Sequence, residues 1–195
     1  MQNPSYRSKK SPPVKAVSRL SKEQWLERAL GLLEKRGPTA MTLDTLTSSM
    51  GVTTGSFYHH FGSHRRFMDE LTDKYIHDYT YVVKEHLETL DLPPRELLIE
   101  VMRKIIANGL DGMDVHFRAL AISYPRLSDK IRAMDDFRTS TITDLFKDMG
   151  YTGNELRMRV HVFVVLQSME SAITTCITQE DRLELLDERV KLLID

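Results

Sequence analysis

From Ser21 onward, apolar side chains return every three to four positions, and no stretch after Gly62 alternates apolar with polar residues over the length of a strand. An α-helix turns once in 3.6 residues whereas a strand repeats in two, so this periodicity confines the chain to helices packed on helices. Glycine and proline then cut the pattern into pieces. Ser21 followed by Gln24 has the spacing of a capping box, and Trp25, Leu26, Ala29, Leu30, Leu32 and Leu33 form the stripe of the helix it starts, stopped by Gly37 and Pro38. Thr42 is placed to cap a short helix carrying Leu43, Leu46 and Met50, which Gly51 ends. A third helix is expected from about Thr53 to His60, with Phe57 and Phe61 four apart on one face.

Ser63 can cap a longer helix through Phe67, Leu71, Tyr75 and Tyr79 that fades near Leu90. Pro93 and Pro94 suit the first turn of a helix running to about Leu110, with Asp111 and Gly112 read as its break. Helical segments then follow over Val115 to Tyr124, Arg126 to Met149, Gly153 to Thr178 and Asp181 to Ile194. Their separators are Pro125, the stretch from Gly150 to Gly153, and Gln179 with Glu180. The expected fold is all-α, roughly nine helices, with a three-helix N-terminal unit. Residues 1–20, with Pro4, Pro12, Pro13 and almost no large apolar side chain, read as a flexible basic arm.

Charge divides the chain. Residues 1–66 hold eleven Lys and Arg against four acids, a net of +7, whereas residues 67–195 carry −8. A cationic end on a nearly neutral protein suits phosphate binding, because neutralising phosphates releases condensed counterions. The apolar stretches are far short of the roughly 20 residues that span a bilayer, and the N-terminus lacks the apolar segment of a secretory signal. With a single cysteine, Cys176, there is no internal disulfide. A cytoplasmic protein that avoids membranes is the expectation. No P-loop, G-x-S-x-G elbow, G-x-G-x-x-G turn or zinc signature is present, so an enzyme ranks below a binding protein. His59, His60 and His64 do not make a metal site, since adjacent helical residues point about 100° apart and no ligand is suitably spaced. No cofactor is expected.

The segment from Thr42 to Ser63 has the shape helix, glycine turn, helix, which places its second helix in a DNA major groove. Thr53, Thr54 and Ser56 at that helix's start offer short hydroxyls to bases and phosphates, and Gly55 permits close approach to the backbone. Tyr58, His59 and His60 lie toward the groove edge, and the next helix start, with His64, Arg65 and Arg66, is a ready phosphate site. The segment resembles the DNA-binding domain of the TetR-type repressor family. Thr42, Leu43, Leu46, Gly51, Val52, Gly55, Ser56, Phe57, Tyr58, His60, Phe61 and Ser63 match that pattern, and Thr53 replaces the usual Ser. Thr47 and Met50 stand where alanines are usual, and His64 where a lysine commonly holds a phosphate.

The resemblance implies a DNA-binding domain over residues 21–66 and a ligand-binding, dimer-forming domain over 67–195. It implies a repressor that binds a palindromic double-stranded DNA operator as a homodimer, with Thr42 among the phosphate contacts, and is released by a small, mainly apolar effector. For the ligand pocket, Met102, Ile106, Phe117, Tyr124, Phe137, Phe146, Phe163 and Gln167 are the candidates. The segment from Gly153 is apolar on more than one side, so Phe163, Leu166 and Ile173, with Leu186 and Val190, are the candidate dimer interface. The alternative to a regulator is a helical ligand-binding or protein-interaction module that has lost DNA binding, a reading kept open by His64.

Overall fold

Hydroxyl side chains set where the first helices begin. In the computed structural model, which describes residues 20–173 and 177–194, Ser21 starts α1 (Lys22–Arg36) with both halves of a capping box: Ser21 Oγ accepts from the Gln24 amide at 3.2 Å, and the Ser21 amide donates to the Gln24 side chain at 2.9 Å. Thr42, Thr53 and Ser63 cap α2 (Leu43–Met50), α3 (Thr54–Phe61) and α4 (His64–Ile76), each by accepting from the amide three residues on. Each cap satisfies an amide that the helix itself leaves unpaired, worth about 1 kcal/mol. Gly51 closes α2 in the left-handed region at φ 65°, where a Cβ would be strained.

Beyond Ile76, α4 widens into a π turn (His77–Tyr81) and continues as α5 (Val82–Glu88) without leaving helical dihedrals. There follow α6 (Pro94–Ala107), α7 (Leu110–Ser123), α8 (Leu127–Asp148), α9 (Gly153–Met169), α10 (Gln179–Glu184) and α11 (Leu186–Ile194). Every element among the described residues is helical, and none is long and apolar enough to cross a membrane. Most of the basic arm, and Cys176, lie outside the described residues.

Several boundaries differ from those expected, among them a break at Leu185 that divides the segment expected as one helix from Asp181 to Ile194 into α10 and α11. The break after α6 falls at Asn108 and Gly109, the latter at φ 60°; Asp111 and Gly112 lie inside α7 because Asp111 is buried and paired. α9 ends at Met169 rather than Thr178, passing into a 3-10 turn (Glu170–Ala172). Gln179 and Glu180 are not a linker but the first turn of α10, capped reciprocally by Thr178 and Asp181.

Two hydrophobic cores hold the helices. In the first, Trp25 meets Phe57 and Phe61 edge-on at 5.6 and 6.1 Å, and Phe67 lies 5.2 and 5.0 Å from the same two rings. This core continues past the three-helix unit: Tyr75 stacks on Phe117 of α7 at 3.9 Å, and Leu127, Ile131 and Met134 of α8 close it. The second core joins Leu98, Met102 and Ile106 of α6, Ile142 and Phe146 of α8, Val160 and Phe163 of α9, and Leu186, Val190 and Leu193 of α11. α7 and the start of α8 therefore pack with the N-terminal helices, although their sequence lies in the acidic part of the chain.

Candidate nucleic-acid interface

The aromatic core presents α3 with Phe57 and Phe61 inward and the opposite side in solvent. Thr53, Thr54 and Gly55 are exposed, Ser56 is half-buried, and Tyr58, 47% exposed, leans edge-on against Phe57 at 5.5 Å. His59 is exposed and His60 half-buried, with their rings 5.2 Å apart. Thr42 is exposed at the start of α2, and Arg65 and Arg66 are exposed on the first turn of α4. Thr53 Oγ1 accepts from the Ser56 amide in capping α3, so its methyl, its hydroxyl hydrogen and its second lone pair remain for a partner.

His64 is the departure from this arrangement. It was expected among the phosphate contacts, but its Nε2 lies 2.7 Å from the Met41 carbonyl, and its ring sits 6.2, 5.9 and 5.9 Å from the rings of Phe57, Phe67 and Tyr124. An imidazole is flat and partly apolar where lysine is a long cation, so it turns inward and joins the three-helix unit to the end of α7. The two residues replacing alanines are also accommodated: Thr47, buried, donates its hydroxyl to the Leu43 carbonyl at 2.9 Å, and Met50 packs into the first core.

The three-helix unit is tied to the remainder through α4. Lys22 pairs with Glu70 and Lys74 with Glu23 toward α1, each at 2.5 Å; on the other flank Arg126 pairs with Asp69, and Lys130 with Asp73 at 2.5 Å. These pairs are partly exposed and individually weak. Together they fix the orientation of α4.

A cavity of about 480 Å³ opens between the π turn, α5, α6, α7, α8 and α9. Of the expected pocket residues, Phe137, Phe163 and Gln167 line it. Met102, Ile106 and Phe146 do not, because they are fully buried in the second core; Phe117 and Tyr124 pack in and against the first. Nor is the lining free of charge. Asp114, 3% exposed, accepts from the Tyr75 hydroxyl and pairs with Arg138 at 2.6 Å. Arg138 also donates to Thr80 Oγ1 at 3.0 Å and to the Tyr79 carbonyl at 3.3 Å, both in the π turn. Burial pushes the Asp114 carboxyl above the ordinary aspartate value, and Arg138 opposes that shift. Asp111 pairs with Arg182, which pairs with Glu170, which pairs with Arg189.

The periodicity did contain a sign of Asp114. It lies three residues before Phe117 and four after Leu110, on the buried face of α7. An acid at an apolar position of a helix signals a buried partner. Nothing local points to Arg138.

The candidate interface residues separate onto two sides of the molecule. Phe163, Leu186 and Val190 are buried within this chain, Leu166 is half-buried, and Ile173 is 67% exposed. At 100° per residue, Val160, Phe163 and Gln167 share the inward side of α9, while Met158, Val162, Val165 and Met169 share the opposite, exposed side. Among the described residues, no group of three His, Cys, Asp or Glu is placed to hold a metal ion.

The family model of bacterial regulatory proteins of the tetR family matches residues 26–71. The HTH-type transcriptional repressor DhaR of Mycobacterium sp. (strain GP1) is 25% identical over 111 residues, 57% of this chain and 56% of that relative's length. A transcriptional regulator from Rhodococcus sp. RHA1 superposes with a TM-score of 0.72 at 15% identity, covering 89% of this chain and 96% of its own. AibR, solved in complex with isovaleryl coenzyme A and operator DNA, superposes at 0.66 with 15% identity, covering 89% and 97%. At such identity these structural likenesses establish the fold.

Proposed function

We propose that this chain is a transcriptional regulator of the TetR family of bacterial regulatory proteins, that it binds a two-fold symmetric operator as a homodimer and acts as a repressor, and that it is released by a small effector in the cavity between the π turn and α9. The reading head is residues 21–66 and the sensor residues 67–195. The observation that carries this reading is the exposed side of α3: hydroxyls at Thr53, Thr54 and Ser56, then Tyr58, His59 and His60, held on a fully buried aromatic core. Thr53, Thr54 and Ser56 probe base edges. Thr42, Tyr58, His59, His60 and Arg65 hold phosphates. His64, committed to Met41, positions α4 rather than touching DNA.

The exposed stripe of Met158, Val162, Val165 and Met169, continued by Ile173, forms the dimer contact. In the dimer, two α3 helices face half-sites about 34–36 Å apart. Coupling to the cavity runs through the π turn. A π turn loosens the regular helical ladder, and here Arg138 braces it from the cavity wall while Asp114 holds Tyr75 one turn earlier. An effector that draws Arg138 or Thr80 toward itself changes the phase of α4, and with it the spacing of the two α3 helices. The effector can shift that balance only by its difference in affinity for the two arrangements.

The test is selection of duplexes from a random pool, followed by fluorescence anisotropy on the enriched site. A palindromic site is expected, with affinity falling steeply as salt rises. Tyr58→Phe and His60→Ala are each expected to weaken binding about tenfold, the loss of one hydrogen bond to a charged group. An unenriched pool sinks the reading.

A further inference from the structure

The effector reading leaves one cavity residue unexplained. Gln167, on the inward side of α9, is 4% exposed and lines the cavity, yet neither its amide nitrogen nor its amide oxygen has a hydrogen-bond partner. Among the described residues it alone has both a donor and an acceptor stranded in this way, and no other residue with a stranded side-chain atom lines the cavity. A buried carboxamide without partners is costly, and native structures seldom keep one without a role. Of the charged residues in the lining, Arg138 is matched to Asp114, Lys84 to Glu88, Asp144 to Lys147 and Asp111 to Arg182, so neither lining cation is free for an anionic ligand. The wall between is apolar, made by Val83, Leu87, Val101, Ile105, Phe137 and Phe163.

Resting on the reading that this cavity takes the effector, we propose that it is built for an uncharged, largely apolar molecule whose single polar group is a carboxamide or lactam, paired reciprocally with both amide atoms of Gln167. A group offering one acceptor and one donor side by side satisfies both stranded atoms at once; a ketone only accepts and leaves the Gln167 oxygen unpaired, and an alcohol must make both bonds through one oxygen, out of line with at least one of them. A carboxylate offers two acceptors and leaves the Gln167 oxygen facing another oxygen. A coenzyme A thioester, the ligand class bound by AibR, fits less well still. Its phosphates would meet a lining with carboxylates at Glu88, Asp111, Asp114, Asp144 and Asp148 and cations only at Lys84 and Arg138, both already paired. The cavity volume, about 480 Å³, is within the ordinary range for a small-molecule site.

The experiment compares decanamide, decanoic acid and decanoyl-CoA, which share one acyl chain, by displacement of the apolar fluorophore N-phenyl-1-naphthylamine from the full-length chain. Decanamide is expected to displace it at concentrations at least about tenfold lower than the other two. Gln167→Leu, with Gln167→Met as a second variant closer in shape, is expected to lower affinity for decanamide relative to the fluorophore about tenfold, and to raise the Tm of the empty protein by removing the stranded amide. Decanoyl-CoA or decanoic acid binding as tightly as decanamide, or a decanamide preference unmoved by both variants, overturns the proposal while leaving the effector reading intact. If neither the fluorophore nor any of the three binds, the cavity is not an effector site, and the effector reading falls together with this one.

Discussion

The core beneath α3 and the core beside the cavity are made of different material. The first is an interlock of aromatic rings, Trp25, Phe57, Phe61, Phe67, Tyr75 and Phe117, each with no exposed surface. Most of these rings come from a single stretch of about fifty residues, so their contacts close short loops. The second is mainly aliphatic, drawn from α6, α8, α9 and α11, and borders a cavity with a stranded amide and a buried ion pair on its wall. Under the proposed function, a surface that presents the same hydroxyls to the same groove each time needs side chains with few rotamers and dense packing. A surface that must respond to a ligand needs room and groups not fully satisfied. α4 crosses from one material to the other, and its π turn lies at the crossing.

The largest expected effect breaks the aromatic side of this contrast. Phe57→Ala is expected to cost about 4 kcal/mol of stability, read by chemical denaturation, and to abolish operator binding because α3 loses its seat. A cost below about 1 kcal/mol would mean that the first core is as pliable as the second. Next, Arg138→Met leaves Asp114 buried without its cation and the Tyr79 carbonyl without its donor, and is expected to cost about 3 kcal/mol. Asp114→Asn combined with Arg138→Met is expected to recover part of this loss, since the stranded charge is gone. Double-variant denaturation checks that non-additivity.

A smaller effect sharpens the contrast through pH. Burial raises the Glu170 carboxyl, but the guanidinium groups of Arg189 and Arg182 more than reverse it, so it titrates below the ordinary glutamate value. A depressed carboxylate lends stability that is complete above its unfolded pKa and is lost as pH falls through its folded pKa. Thermal melts from neutral pH downward are expected to show a loss of Tm, beginning below about pH 5, that Glu170→Gln reduces. An unchanged slope in the variant would remove Glu170 as its source. The smallest effect on the folded chain is expected from Val165→Glu, on the outer side of α9. As an exposed substitution it should alter monomer stability by less than about 0.5 kcal/mol, while light scattering shows the dimer dissociating. A variant still dimeric at micromolar concentration would move the interface elsewhere.

The N-terminal elements were legible because their signals are local. Ser21, Thr42, Thr53 and Ser63 each reach only three residues to make their caps, and Gly51 needs nothing beyond its own dihedrals. The cavity was not legible in the same way. Met102 and Phe146 have the same apolar character as Phe137 and Phe163, and only the crossing of α6 over α8 decides which of them faces the void. Asp111 and Gly112 resemble a helix stop because both have poor helical propensity, and only Arg182, 71 residues away, explains why Asp111 stays inside α7. The outer side of α9 was hidden for a related reason: with apolar residues on more than one side and a polar Gln167 on the buried one, polarity does not mark which half faces in. The inward placement of His64 is not legible in the sequence because its partner, the Met41 carbonyl, carries no side-chain signal.

The π turn from His77 to Tyr81 has a consequence for how this chain tolerates change in length. A π turn holds one residue more than an α-helical turn, and each residue of an α-helix sets a rotation of about 100° and a rise of about 1.5 Å. The helix that joins the two cores therefore carries slack. A single deletion within that turn can be absorbed by relaxation to ordinary α geometry, leaving the side chains of Phe67 and Leu87 in phase with their neighbours. The same deletion two turns earlier would rotate Tyr75 by about 100° relative to Phe67 and break the continuity of the first core. The turn is the point in the molecule where the phase between the two cores can be reset by one residue.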